Sequence, residues 1–174
     1  HPRSSRIVEK FASHYAGHPN VIGWQIDNEI NCEVDVFYSE SDTAAFRTYL
    51  KEKYGTLEKL HQELGLIFWN QEYTAWEEIY VPRTTIHDSS NPHLTLEYIR
   101  FISESAIAFC RMQSDIIRKY MKPGDFVTTN GMFDHLDNHK MMDEALDVYT
   151  YDSYPNFAYC LAEDPVHNPG LNDR

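Results

Sequence analysis

The stretch HPNVIGWQIDNEINC, residues 18–32, decides the fold of this chain. Apolar and aromatic side chains run through it as far as Ile26, and the sequence then turns into Asp27-Asn28-Glu29. A short apolar run of this kind is typical of a buried strand. A buried strand that ends in two carboxylates with an amide between them predicts that its last residues emerge at the rim of a pocket.

Helices separate the strands that the rest of the sequence predicts. In the first helix Ile7, Phe11 and Tyr15 recur every four residues, and in the longest helix an apolar stripe runs from Ile99 to Tyr120. The predicted helices cover 4–16, 42–54, a short segment from Thr56, 92–122 and 138–146, and the predicted strands cover 20–27, 126–130 and 147–155. Strands that alternate with helices predict parallel pairing with right-handed crossovers.

Two architectures fit this order, an open doubly wound sheet and a (β/α)8 barrel. The sequence has neither a glycine-rich turn after a strand nor a phosphate-binding loop, which disfavours a nucleotide-binding sheet. Polar residues stand at the carboxyl end of each predicted strand: 27–29, then Thr129 and Asn130, then Asp152 with Tyr154. In a barrel those strand ends form the active-site face. The favoured fold class is therefore α/β, a partial (β/α)8 TIM barrel.

The size of the chain agrees with part of a barrel. A full barrel needs about 250 residues, whereas this chain has 174, so we expect residues 1–174 to be a fragment of a single catalytic barrel domain. Five side chains are expected to face the barrel interior: Val21, Ile22, Phe126, Val127 and Val148. Expressed alone, such a segment should aggregate or be molten, and be inactive, because its outer strands keep unpaired edges.

Charge and cysteine content limit the partners and the compartment. The formal net charge of −12 argues against nucleic acid and an anionic membrane surface, since both require a basic face. No apolar run approaches the ~20 residues of a membrane span. Cys32, Cys110 and Cys160 are far apart and odd in number, which predicts no disulfide framework and a reducing, cytoplasmic location. Cys110 lies on the apolar stripe of the longest helix and is expected to fill the core.

The residue types of Asp27-Asn28-Glu29 suit glycoside hydrolysis. That reaction uses one carboxylic acid beside the scissile bond and a second carboxylate at the anomeric carbon. Partial burial can raise the pKa of a glutamate far enough for it to act as the acid, and a neighbouring amide can bind a sugar hydroxyl. Side chains alternate along a strand, so a bulge or the onset of a loop is needed to bring Asn28 and Glu29 together. On spacing alone, a solvated strand end or a helix cap is the more common role of such residues.

A metal site is a weaker alternative elsewhere in the chain. His135 and His139 are four residues apart, with Asp134, Asp137 and Asp143 nearby, a spacing that a metal could use. No third ligand is identifiable, so we expect a solvated polar loop and no metal.

Three stretches resemble glycoside hydrolase family 42, the β-galactosidases. They are GWQIDNE at 23–29, AAFRTYLKEKYGTLEKL at 44–60 and FWNQEYTAWEEIYVPR at 68–83. The Asn-Glu pair is shared by a large clan of barrel glycosidases, whereas the two longer stretches narrow the resemblance to this family. The similarity extends from about Ile7 to Pro155.

The resemblance implies a role for each site residue. Glu29 would be the general acid/base at the end of barrel strand 4, and Asn28 the amide that contacts the sugar. Tyr154 would lie near the nucleophile, after strand 6. The nucleophile itself, a glutamate on strand 7, would lie beyond Arg174, so that the chain holds approximately strands 4 to 6.

The family also implies what the whole protein does. It would be a retaining β-galactosidase that hydrolyses terminal β-galactosides, needs no cofactor and forms a homo-oligomer, by resemblance a trimer. Another retaining glycosidase of the same clan, or a non-catalytic sugar-binding barrel, remains an alternative. A glutamate at the end of strand 7 would distinguish an enzyme from a binding protein.

The sequence departs from the family in two places. Some members bind zinc through a cysteine cluster after the acid/base, but the matching stretch INCEVDVFYSESD contains only Cys32. His61, Leu64 and Leu66 are atypical and predict altered helix packing rather than altered chemistry. Trp69 and Trp76 could stack on sugars, pack the loop over the barrel rim or contact another subunit.

Overall fold

Helices and strands alternate along the chain as the sequence predicts. The computed structural model describes residues 1–32, 37–83, 91–131 and 135–152. In this part of the chain the helices are α1 Pro2–Tyr15, α2 Glu40–Tyr54, α3 Leu57–Leu64, α4 Pro92–Arg118 and α5 Asn138–Ala145, and the strands are β1 Gly23–Gln25, β2 Phe126–Asn130 and β3 Val148–Thr150. Single 3₁₀ turns occupy Phe68–Asn70 and Trp76–Glu78. β1 is shorter than the predicted strand 20–27, and residues 153–155 of the predicted third strand lie outside the described residues.

The described strands form one parallel sheet in the order β1-β2-β3. Trp24 lies opposite Val127, and Thr129 lies opposite Tyr149. Because the strands are parallel, their carboxyl ends meet at one edge of the sheet, as the sequence predicts. We call this edge the carboxyl edge.

Side-chain caps fix where the longer helices begin. At the start of α2 the Ser39 hydroxyl accepts from the Asp42 N–H at 3.1 Å, and the Asp42 carboxylate accepts from the Ser39 N–H at 3.1 Å. This reciprocal pair starts the helix at Glu40, two residues before the predicted start at 42. Gly55 ends the same helix with a φ of 77°, a conformation that glycine adopts without strain. Asn91 caps α4, and Pro92 occupies its first turn.

One apolar core, the sheet core, lies between the sheet and helices α1, α4 and α5. Its buried residues are Ala12, Ile26, Ile30, Ala106, Ile107, Cys110, Ile117, Val127, Leu136, Met141, Ala145 and Leu146. Cys110 fills this core as predicted. Val127 is wholly buried in it on the helix side, so the expectation that Val127 faces the barrel interior is wrong: side chains alternate, and Phe126 and Thr128 take the opposite face. Ile22 is 71% exposed and precedes the strand.

A second core, the helical core, lies between α2, α3 and the first half of α4. Its buried residues are Phe46, Leu50, Tyr54, Leu60, Leu64, Leu66, Ile79, Val81, Leu94, Tyr98 and Ile102. Leu64 and Leu66, two of the residues atypical of the family, are buried here, and His61 Nε2 accepts from the Tyr73 N–H at 3.1 Å. These residues anchor the irregular aromatic segment to α3.

The apolar stripe of α1 does not face the core. Ile7 and Phe11 are 61% and 58% exposed, and Tyr15 is exposed as well. The helix packs instead through Ala12, with Val8 partly buried against the sheet core. The four-residue spacing therefore predicted the helix correctly but not the face that it buries. None of the helices in the described ranges is long and apolar enough to span a membrane.

Candidate active site

The backbone leaves the sheet abruptly after β1. The Ile26 N–H still donates to the Thr128 carbonyl at 2.8 Å, but Asp27, Glu29 and Asn31 then have φ values of 55°, 44° and 62°. Left-handed backbone is uncommon for residues other than glycine and persists where the surroundings hold it in place. We call residues 27–31 the left-handed loop. It interrupts the strand alternation, so that Asn28 Nδ2 comes within 3.4 Å of Glu29 Oε2, as the loop-onset prediction requires.

Asn130, the last residue of β2, connects the left-handed loop to the sheet. Its Oδ1 accepts from the Glu29 N–H at 3.0 Å and from Gln25 Nε2 at 3.2 Å. Its Nδ2 donates to Asn28 Oδ1 at 3.0 Å and to Asp152 Oδ2 at 3.0 Å. The ends of all three described strands are therefore joined through one amide group.

The predicted site residues are only partly within the described structure. Asn28 and Glu29 lie together at the carboxyl edge, with Asn28 exposed and Glu29 half-buried. Tyr154 lies outside the described residues, so its predicted place beside Glu29 stays a prediction. Asp152 accepts a hydrogen bond from Asn130 at the same edge.

Sequence reasoning missed the part that Asn130 plays. It placed Thr129 and Asn130 among the polar strand ends but assigned neither to the site. The available signal was the asparagine itself. β2 is buried as far as its last residue, Asn130, and a buried amide must find hydrogen-bond partners.

A cavity of about 360 Å³ lies behind the left-handed loop, on its helix side. Its lining combines the loop with the middle of α4 and includes Asp27, Asn28, Phe101 and Phe109. Nearby, burial and then the charge of Asp27 raise the pKa of the Cys110 thiol to about 12. Cys110 therefore stays protonated at neutral pH and is not a nucleophile of this site.

Among the residues that the structure describes, no three histidine, cysteine, aspartate or glutamate side chains are grouped so that they could hold a metal ion. The chemistry available at the carboxyl edge is that of a carboxyl group beside an amide. A carboxyl group there can transfer a proton, and the amide can hold a hydroxyl group.

A parallel α/β sheet with a carboxyl group and an amide at its carboxyl edge is consistent with part of a barrel glycoside hydrolase, which uses one carboxyl group as acid/base at that face. Residues 1–171 match the sequence model of glycoside hydrolase family 42, described as β-galactosidase. The chain belongs to this family.

Known relatives agree in sequence and in structure. The chain is 40% identical over 153 residues to a β-galactosidase of Thermus thermophilus, an alignment that covers 86% of this chain and 23% of the relative. It is 36% identical over 155 residues to β-galactosidase LacZ of Heyndrickxia coagulans, with 88% and 23% covered. The crystal structure of β-galactosidase from the psychrophilic Marinomonas ef1 superposes with a TM-score of 0.84 at 37% identity, covering 95% of this chain and 25% of that one. The chain thus spans about a quarter of the length of the relatives it matches, and its fold is that of a segment of these barrel enzymes.

Proposed function

We propose that the protein containing these residues is a retaining β-galactosidase that hydrolyses terminal β-galactosides, and that Glu29 is its general acid/base. The observation that carries the proposal is the Asn28–Glu29 pair at the carboxyl edge of the sheet in a member of family 42, with Asn28 Nδ2 3.4 Å from Glu29 Oε2. A carboxyl group in this place reaches the rim where a barrel enzyme binds its substrate.

The proposed reaction has two steps: Glu29 gives up a proton in the first and takes a different proton, from water, in the second. In the first, the protonated Glu29 donates its proton to the glycosidic oxygen while a second carboxylate attacks the anomeric carbon and the leaving alcohol departs. In the second, the ionised Glu29 accepts a proton from water, which displaces that carboxylate and releases the sugar. Asn28 would bind a sugar hydroxyl during both steps.

Several parts of the proposal concern the whole protein. The nucleophile would be a glutamate on barrel strand 7, outside this chain, and Tyr154 would lie near it. The chain would then supply strands 4 to 6 of the barrel. We also propose a cytoplasmic homo-oligomer, a trimer by family resemblance, that needs no cofactor.

The test is Glu29→Gln in the full-length enzyme, assayed on lactose and on an aryl β-galactoside with a good leaving group. Glutamine cannot donate the proton, so kcat/KM on lactose should fall by about 10²–10⁴-fold. The aryl substrate needs less acid assistance and should lose much less in the first step. Azide needs no general base, so it should partly restore the second step.

Asp27→Asn is the matched control. It makes the same change from carboxylate to amide two residues away, keeps an oxygen that can accept from the Asn28 N–H, and suits the left-handed backbone at this position. Both substrates should be turned over at close to the wild-type rate. Wild-type lactose hydrolysis by Glu29→Gln would overturn the assignment of Glu29.

A further inference from the structure

We propose that Asn130 is a positioning residue for acid/base catalysis, because its amide sets the orientation of the Asn28 amide that contacts Glu29. The inference rests on the proposed function of Glu29. It adds a residue from a different strand, 101 positions further along the chain, to the group that the reaction requires.

The hydrogen-bonding capacity of the Asn130 amide is fully used. An amide has two donor hydrogens and an oxygen with two acceptor sites, and Asn130 makes two bonds of each kind. The backbone N–H of Glu29 can only donate, and Asp152 accepts through a carboxyl oxygen. These two partners fix which end of the amide is the oxygen and which is the nitrogen. At 5% exposure, the group has little access to water as a substitute partner.

The fixed orientation of Asn130 is passed on to Asn28. Asn130 Nδ2 donates to Asn28 Oδ1, so the nitrogen of Asn28 is left to face Glu29 Oε2. The result is a chain of hydrogen bonds that runs from Asp152 through Asn130 and Asn28 to the carboxyl group of Glu29. If Asn28 turned over, its oxygen would face the Glu29 carboxylate and repel it.

Asn130 also holds the backbone of the acid/base residue. Glu29 has a φ of 44°, and its N–H donates to Asn130 Oδ1. A strained conformation of this kind persists only when its surroundings determine it. The same side chain therefore fixes the position of the Glu29 backbone and the contact made by its carboxyl group.

The experiment exchanges the two side chains that meet at the edge, in the full-length enzyme. Asn130→Asp alone places a carboxylate against the Asp152 carboxylate and should lower the melting temperature. The double variant Asn130→Asp/Asp152→Asn removes that repulsion and restores a hydrogen bond between the two positions, so it should recover most of the stability. It cannot donate to Asn28, because an ionised carboxylate has no hydrogen to give.

The readout is the ratio of kcat/KM on the activated aryl galactoside to kcat/KM on lactose. In the double variant Asn28 turns its nitrogen toward the new carboxylate and its oxygen toward Glu29. We expect the ratio to rise by about 10–10²-fold, the size of effect that a misplaced catalytic group produces, although the melting temperature has recovered. The ratio measured for Asp152→Asn alone is the reference with which the ratio of the double variant is compared. A purely structural role for Asn130 predicts that stability and the ratio recover together, and that result would overturn the inference.

Thr129→Val is the matched control on the same strand. Thr129 is fully buried, and its hydroxyl has no hydrogen-bond partner in the structure, so an isosteric apolar side chain should leave the ratio unchanged. If the carboxylate variants do not fold, Asn130→Ala decides by the same ratio: a rise supports the inference, and an unchanged ratio overturns it. If Glu29→Gln leaves the ratio unchanged, the proposed function fails; if Glu29→Gln raises it and the exchange does not, only the inference about Asn130 fails.

Discussion

The carboxyl edge of the sheet and the helical core each contain a polar side chain that is almost completely buried. At the edge it is Asn130, a neutral amide with four hydrogen bonds to polar groups of the site. In the helical core it is Glu97, 1% exposed, whose carboxylate contacts Lys53 and Arg100 at 2.5 Å each and Tyr49 at 3.2 Å.

The burial of Asn130 and the burial of Glu97 are compensated by different interactions. Burial alone would raise the pKa of Glu97, but hydrogen bonds from Lys53 and Arg100, with their charges, leave the pKa below its ordinary value. Burial and the negative charge of Glu97 raise the pKa of Tyr54 to about 12. Glu97 therefore stays ionised and Tyr54 stays neutral near neutral pH, which suits a structural role. A neutral amide suits the edge, where the proposed mechanism has the neighbouring Glu29 carboxyl group gain and lose a proton.

The comparison predicts the largest loss of stability in the helical core. In the double variant Lys53→Met/Arg100→Met, Glu97 stays buried without a cation, and the free energy of unfolding should fall by about 3–5 kcal/mol. Urea denaturation of the full-length protein measures it. The aryl-to-lactose ratio should not change in molecules that remain folded, since neither cation contacts the left-handed loop. A change in that ratio would show that the two regions are not separate.

Lys140→Met is the control for that experiment. Lys140, on α5, pairs with Glu104, which lies on α4 as Glu97 does. Both side chains of this pair are more than a third exposed. Exposed pairs contribute about 0–1 kcal/mol, so the loss should be small. An equal loss in both experiments would mean that burial does not distinguish the pairs.

A second prediction concerns the pH dependence of the Glu97 group. Glu97→Gln should lower the free energy of unfolding at pH 7 by about 1.5–3 kcal/mol, since it weakens hydrogen bonds between charged groups. Because the folded-state pKa of Glu97 lies below its ordinary value of 4.5, the unfolded chain binds more protons as the pH falls. The stability contributed by ionised Glu97 is complete above the ordinary pKa of 4.5 and is lost as the pH falls through the lower folded-state pKa. The difference between wild type and variant should therefore narrow between pH 7 and pH 3, and a constant difference would contradict the assigned shift.

The smallest expected effect is on the inner face of the sheet. A Cβ added at Gly23 would lie 2.7–2.9 Å from the ring of Phe126, its partner on β2. Gly23→Ala should cost about 1–3 kcal/mol, as overpacking does, and Gly23→Ala/Phe126→Leu should recover most of it. Thermal melts of both variants test this.

Gly17→Ala is the comparison for that substitution. Nothing lies within 4 Å of a Cβ at Gly17, so this change should be neutral or slightly stabilising. A loss at Gly17 as large as that at Gly23 would show that the contact with Phe126 is not the cause of the loss at Gly23.

The sequence predicted the elements better than the faces they bury. Helix boundaries were close because capping side chains and glycines act locally, as Ser39 and Gly55 do at α2. The face buried by α1 depends on α4, which is far along the chain, and Ile7 and Phe11 are exposed while Ala12 is buried. Small side chains that allow close helix contact carry little periodic signal.

The site was predictable only to the extent that its residues are adjacent in sequence. Asn28 and Glu29 stand side by side and match a family pattern, so reading the strand end was enough to select them. Asn130 could not be linked to them, because the contact depends on the register in which Gln25 lies opposite Thr128 and on the left-handed loop that follows. Neither the register nor the sign of a φ angle outside glycine is readable from residue types.

The separation of Glu29 from Asn130 also has a consequence for synthesis. The two residues are 101 positions apart, and closing a loop of that length costs about 4 kcal/mol of chain entropy. At about 5–20 residues per second, the ribosome makes Glu29 roughly 5–20 s before Asn130. During that interval α1, α2 and α3 can form from local contacts, while the left-handed loop has no partner to hold it. The residue that would carry the proton is therefore made early and set in place late.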